Sequence, residues 1–166
     1  MIKKILAASM ATALGFAAMA EEVQIAGTVE SKCVVQVDTL GVYGNPTPST
    51  LSTDNVDGGV TPIIRFDVVQ SNYYKARITT PNSFSQSPAL DDVVAWTGVV
   101  AIGEVSDTQM SAYTAAMITY DNVSEVDLSI AGSTWFDITS QMAYGYDKAL
   151  PAGTYRAVIT ADCIAL

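Results

Sequence analysis

Histidine is absent from the 166-residue chain, and cysteine occurs only twice. Without histidine there is no Ser–His or Cys–His pair to activate a nucleophile and no imidazole ligand for zinc. Neither a Gly-rich phosphate-binding loop nor a G-x-S-x-G nucleophile motif occurs in the sequence. We therefore predict no catalytic residue, no metal site and no cofactor. An exported hydrolase that uses a pair of carboxylates is the enzyme class left open.

Basic residues are scarce: 8 Lys and Arg stand against 17 Asp and Glu, for a formal charge of −9. The electrostatic field of this negative charge repels polyanions, so nucleic acid and anionic membranes are not expected as partners. In the simplest interpretation the acidic side chains keep the protein surface soluble. The alternative is that they bind a cation. The string Thr53–Gly58 resembles the start of a calcium loop, but Ile64 stands where the closing Glu is needed. An acidic turn is predicted there.

Long hydrophobic runs are missing, apart from one of about 14 residues between Ile5 and Ala18, and spanning a bilayer takes about 20. Two lysines precede this run, and Ala18-Met19-Ala20 follows as a small-residue cleavage site. Residues 1–20 are therefore predicted to be a secretory signal peptide rather than a membrane anchor. Their removal leaves 6 basic and 17 acidic residues and changes the formal charge from −9 to −11. Residues 21–166 have the size of one domain.

Residues 22–38 alternate between apolar and polar positions, which is the period of a β-strand. The apolar parity holds Val23, Ile25, Gly27, Val29, Ser31, Cys33, Val35 and Val37. Because strands usually have five or six residues, a bend is expected, with Gly27 as its place.

The last segment of the chain repeats this alternation. Its inward parity holds Tyr155, Ala157, Ile159, Ala161 and Cys163. Because an exported chain folds in an oxidising compartment, a disulfide between Cys33 and Cys163 is predicted, with two free thiols as the alternative. It would join the first strand to the last.

Short strands separated by turn signals fill the middle of the chain, which is typical of a β-sandwich. They are predicted at 62–69, 73–79, 93–102, 115–120, 125–130 and 134–139. Residues 45–61 are predicted to form a surface loop, and a helical turn within 104–118 is an alternative to strand. Trp96 and Trp135 are expected in the core, with a sugar-binding platform as the alternative.

Both ends of the chain carry motifs in a specific order. Ile25-x-Gly27-x-Val29 and Cys33-Val34-Val35 are followed by a turn at Gly41, by PIIRFDVV and by a terminal AGTYRAVIT. This order resembles the subunits of chaperone–usher pili. In that family an immunoglobulin-like Greek-key sandwich of antiparallel strands lacks its last strand, and a neighbour's N-terminal extension fills the groove by β-augmentation.

The resemblance implies a structural subunit of a bacterial fimbria that supports adhesion. Its partners would be other pilus subunits, a periplasmic chaperone, an outer-membrane usher and a host or surface glycan. The chain would pass through the periplasm to the cell surface. Val23, Ile25, Gly27 and Val29 would be the strand-pairing residues.

Two features depart from the family pattern. The second cysteine is Cys163 rather than a residue of the strand after the first long loop, and only six residues separate the predicted cleavage site from Gly27. If Val23, Ile25, Gly27 and Val29 act as donor residues, the donor strand and the first strand share one continuous segment. If they do not, the chain is a terminal subunit or a self-complete sandwich. A self-contained secreted binding module, directed at carbohydrate, is the alternative function.

Overall fold

The computed structural model describes residues 26–27, 33–146 and 148–166. Its strands are β1 (Cys33–Thr39), β2 (Gly44–Thr47), β3 (Thr50–Ser52), β4 (Ile63–Val68), β5 (Tyr74–Thr79), β6 (Phe84–Gln86), β7 (Val94–Val105), β8 (Ile118–Tyr120), β9 (Val123–Leu128), β10 (Gly132–Tyr144), β11 (Arg156–Ala157) and β12 (Thr160–Ala165). A one-turn helix, α1 (Tyr113–Ala116), follows a 3-10 turn. The predicted signal peptide lies outside the described residues. Within the described part of the chain, no helix has the length and apolarity needed to cross a bilayer.

The larger sheet is built around β10. This strand pairs with β7 along one side, and with β4 and then β3 along the other, all antiparallel. β1 pairs with β4, so the strand order alongside the N-terminal half of β10 is β1-β4-β10-β7. The sequence of β10 explains its central place, because Thr134, Phe136, Ile138, Ser140 and Met142 alternate with less buried neighbours and are themselves buried.

The smaller sheet has the order β12-β5-β9-β8 and is also antiparallel. Its inner face supplies Ala76, Ile78, Val126 and Leu128 to the core. β11 pairs with β6 in a separate two-stranded ladder.

The two sheets share one apolar core, so the described residues form an antiparallel all-β sandwich. Phe66 and Phe136 meet edge to face at its centre, with ring centroids 5.3 Å apart. A smaller cluster at the other end of β10 packs Phe84 against Trp96 and Tyr155, with centroids 4.8 and 5.1 Å apart.

The predicted disulfide is present: Cys33 of β1 is bonded to Cys163 of β12, with 6.3 Å between their Cα atoms. This spacing lies in the usual range for a disulfide. It joins an edge strand of one sheet to an edge strand of the other across a sequence separation of 130 residues.

The central strands are where the sequence predicts them, with Ile64, Phe66 and Val68 of β4 buried. One of the predicted elements was wrong, and another was right in part. Residues 45–61 were predicted as a loop, but β2 and β3 form a hairpin in which the Asn45 amide donates to Thr47 O and Thr50 O and so closes the turn. Of the strand predicted at 115–120, Ile118–Tyr120 pair as β8, whereas Ala115 and Ala116 belong to α1, in line with the alternative of a helical turn within 104–118.

Candidate functional site

The candidate site is the seam where the larger sheet ends at β1 and the smaller sheet ends at β12. The disulfide holds these two strands side by side. In the described part of the chain, β4 is the strand that pairs with β1, and β5 is the strand that pairs with β12. Two sheet edges therefore face one gap.

The hydrogen-bond pattern shows which backbone groups face the gap. Leu166 N donates to Tyr73 O at 3.0 Å, so the even-numbered residues of β12 bond to β5. Ala161 and Ala165 consequently direct N–H and C=O away from β5. On the other side of the gap Ile138 N donates to Pro62 O, so the even-numbered residues of β4 bond to β10 and the odd-numbered ones to β1.

On β1 this alternation leaves Val35 and Val37 with backbone groups that point away from β4. An edge of this kind is a template for another strand, because its N–H and C=O groups lack partners from their own sheet.

The side chains along the seam are apolar and only half covered. Val35, Ile159 and Ala161 pack against the main core but keep part of their surface exposed. Val37 has the same inward parity and pairs with the buried Ile64, yet 58% of its surface is exposed. An inward-facing valine normally loses most of its exposure in a closed sandwich. The core is therefore unfinished along this line.

An open groove of about 300 Å³ lies at one end of the seam. Its apolar lining includes Val37, Leu40, Pro62, Ile64, Val158 and Ile159. Tyr43 and Ser140 also line it, and their hydroxyls lie 3.1 Å apart. Burial raises the pKa of Tyr43, so its phenol stays neutral and acts as a hydrogen-bonding group. The groove offers aliphatic contact and no charged group.

Two of the predicted site residues, Cys33 and Cys163, meet in the disulfide. Gly27 is exposed. Val23, Ile25 and Val29 lie outside the described residues. The groove residues Val37, Val158 and Ile159 were not predicted as a site; the alternation of both terminal segments placed two of them inward, but not at an open edge.

The two tryptophans have different environments. Trp96 packs in the smaller cluster, as expected. Trp135, also expected in the core, lies on the outer face of β10, where its Nε1 donates to Asp38 at 2.6 Å and the Arg65 guanidinium lies 5.7 Å from the ring centroid. The prediction for Trp135 was wrong because its parity on β10 is that of Ser133 and Asp137, not that of Phe136. The Arg65 guanidinium therefore lies over one face of the Trp135 ring.

The charged clusters of the described residues serve structure. Glu125 accepts from Arg77 Nε at 2.6 Å, and also from Tyr120 and Lys75, on the outer face of the smaller sheet. These donors, Arg77 first, lower the pKa of the Glu125 carboxyl. At the end of β10, Asp91 accepts from Tyr144 and Lys148, which lower its pKa. Across the described part of the chain, no three potential metal ligands come together.

Neither a protein-family model nor a curated protein matches this chain. The class that the geometry defines is an antiparallel all-β sandwich, closed by a disulfide between edge strands and open along the seam between them.

Proposed function

We propose that the chain is a structural subunit of a bacterial surface fibre, assembled by β-strand complementation and supporting adhesion. The observation that carries this proposal is the unfinished seam, where inward-facing Val37 is exposed, and Val35 and Ile159 partly exposed, beside two strand edges. Because the disulfide holds Cys33 and Cys163 with their Cα atoms 6.3 Å apart, the added strand would enter beyond the disulfide, where it would bond to the open edge of the seam and cover Val37 and Ile159.

The strand order supports an immunoglobulin-like interpretation. In that fold, strands A, B, E and D form one sheet and C, F and G the other. Here β1-β4-β10-β7 has the order A-B-E-D, and β5 pairs with β12 as C pairs with F. The position of G is beside β12, on the edge away from β5. No described strand occupies that position, which is also the seam.

The proposed occupant is the segment 21–30 of a second copy. Val23, Ile25 and Val29 share one parity in this segment, so one face of an added strand would be apolar and would enter the seam. The same segment of the chain's own N-terminus could reach β1 only through a tight turn at Glu30-Ser31-Lys32. That tripeptide holds no Gly or Asn for the left-handed position of a short hairpin loop. A neighbour's segment is therefore the better donor.

Replacement of one donor side chain tests the proposal. Ile25→Asp places a charge where the seam is apolar, and we expect the heat-resistant multimers on unboiled gels to be lost. Gln24→Asp is the matched control, because residue 24 has the opposite parity and its charge would face solvent. Multimers that persist in Ile25→Asp, or that vanish equally in Gln24→Asp, contradict the proposal.

If the unmodified chain and Ile25→Asp are both secreted into the medium as soluble monomers, the result would favour the alternative of a self-contained binding module. Titration of that monomer with glycans then separates a carbohydrate-binding role from an inert one. The covered ring of Trp135 argues against that strand as the platform.

A further inference from the structure

Arg156 differs from the other basic residues that the structure describes. Each of the others forms an ion pair with an Asp or Glu: Arg65, Lys75, Arg77 and Lys148. The Arg156 side chain is exposed and has neither an ion pair nor a side-chain hydrogen bond with a described residue. Because the chain holds 17 acidic residues against 8 basic ones, a cation that no described acid approaches is available to an acid from elsewhere.

Arg156 lies at the open end of the seam. β11 comes just before β12 in the chain and β6 comes just after β5, so β11 continues the edge that β12 presents to the gap. An open recess of about 650 Å³ adjoins the groove there, and the two share Gly41, Tyr43, Ala157 and Val158. Among the described residues that line groove and recess, Arg156 is the one with a charge. The gap is therefore uncharged along the groove and positive at its open end.

The disulfide decides which way a donor segment can lie in the gap. It closes the seam at Cys33 and Cys163, and the chain's own N-terminal segment is attached at this closed end through Cys33. A donor from a second copy is attached to its own β1 in the same way, so its C-terminal end carries the body of that copy. At the closed end that body would compete for space with the acceptor's own segment. A head-to-tail contact therefore places Glu30 at the open end and Glu21 at the closed end.

We propose that Arg156 binds Glu30 of the donor segment and so fixes the direction of the donor, an inference that rests on the proposed function. A donor antiparallel to β12 with Ile25 opposite Ile159 puts Glu30 two residues from the position opposite Arg156. Long side chains bridge this diagonal spacing between neighbouring strands. Parity agrees, because Glu30 alternates with the apolar face of the donor and Arg156 has the parity opposite to that of Ile159.

The length of the donor fits the same placement. In this register Glu21, the first residue after the predicted cleavage site, comes level with Cys163, where the disulfide closes the seam. Glu22 comes level with Asp162, which has Arg77 opposite it on β5 as a countercharge. The donor thus extends from the closed end of the gap to the recess.

Titration of the donor peptide into a monomeric acceptor tests the contact. The peptide is residues 21–30 with an amidated C-terminus, and the acceptor is the full-length Ile25→Asp chain. Arg156→Gln in the acceptor should weaken binding about fivefold, and Glu30→Gln in the peptide should do the same. The two changes together should weaken binding no more than one alone, because each removes the same pair. The Glu30→Arg peptide should bind an Arg156→Glu acceptor more tightly than it binds the acceptor with Arg156.

Gln141→Glu is the matched control for Arg156→Gln, because it makes the same change in net charge at an exposed residue on the outer face of β10. It should change the affinity less than about twofold. A peptide with both Glu21→Gln and Glu22→Gln should likewise bind within about twofold of the unmodified peptide, since these residues lie far from Arg156 in the proposed direction.

Three results overturn the proposal: losses that simply add when both partners are changed, a loss that follows Glu21 and Glu22 instead of Glu30, and a charge-swapped pair that binds no better than the mismatched one. The fibre function still stands after any of them, provided that the unmodified peptide binds and the Ile25→Asp peptide does not. An acceptor that binds neither peptide contradicts both the contact and the fibre function.

Discussion

The main core is sealed at its centre and open at its seam. At the centre, Phe66, Phe136 and Ile138 are 0–1% exposed, because neighbouring strands flank them on both sides. At the seam, Val35 of β1 and Ile159, which directly precedes β12, face the same core and remain partly exposed. The comparison teaches that burial stabilises the centre, whereas a covalent bond holds the seam. Apolar surface that the fold leaves uncovered is available to a partner.

The largest difference between the two regions should appear in the free energy of unfolding when a side chain of each is truncated to alanine. Phe136→Ala should lower the free energy of unfolding by about 4 kcal/mol, because it leaves a cavity in a closed core. Ile159→Ala should cost about 1 kcal/mol, because the side chain is only partly removed from water. Denaturant unfolding of both variants in the monomeric Ile25→Asp background measures the two values. Equal losses would show that the seam is as well packed as the centre.

Removal of the disulfide should have the next largest effect. Cys33→Ser with Cys163→Ser should lower the free energy of unfolding by about 3 kcal/mol, because the bond closes a loop of 130 residues in the unfolded chain. Reduction of the unmodified protein should give the same loss and serves as the control. A loss below about 1 kcal/mol in both experiments would mean that strand packing alone keeps β1 beside β12.

A charge in the groove should affect assembly more than stability. Val37→Asp should change the free energy of unfolding by less than about 1 kcal/mol, because the side chain is mostly exposed. It should still abolish multimers, since the carboxylate would be buried beneath the added strand. Val34→Asp, on the outer face of the same strand, should assemble normally. Assembly of Val37→Asp would exclude this groove as the acceptor.

The smallest effect should be the pH dependence from Glu125, far from the seam. Its pKa in the folded state is lower than in the unfolded chain, chiefly because Arg77 donates to it. The ionised carboxylate therefore stabilises the fold above its ordinary pKa, and this contribution is lost as the pH falls through the lowered value.

Glu125→Gln lacks that contribution, so its Tm should fall less than that of the unmodified chain when the pH is lowered from about 6 to about 3. Arg77→Gln removes the chief donor to Glu125 and should weaken the same pH dependence. Parallel Tm curves for all three proteins would contradict the role of Arg77.

The sequence predicted the interior strands well because alternation is strong where one face is buried. Ile64, Phe66 and Val68 illustrate this, and the presence of two cysteines in a chain with an export signal predicted the disulfide, with which their shared inward parity agreed. The hairpin at β2 and β3 was missed because Pro46 and Pro48 indicate a loop, whereas proline is tolerated on an edge strand.

The open seam itself was not predictable from alternation. An inward parity assigns a side chain to a face of a sheet, but it does not say whether another strand covers that side chain from the side. Val37 has the pattern of a core residue and the exposure of a surface residue. That combination depends on which strands become neighbours, and long-range pairing decides it.

Hydrogen exchange at the seam tests the central claim most directly. In the monomeric Ile25→Asp chain, the amides of Val35, Val37 and Ala161 point into the gap and should exchange quickly, while those of Gln36 and Asp162 bond to β4 and β5 and should exchange slowly. A peptide of residues 21–30 should slow the first group at least tenfold, and the same peptide with Ile25→Asp should not. Gap-facing amides that are already protected without the peptide, or that ignore it, would contradict the account.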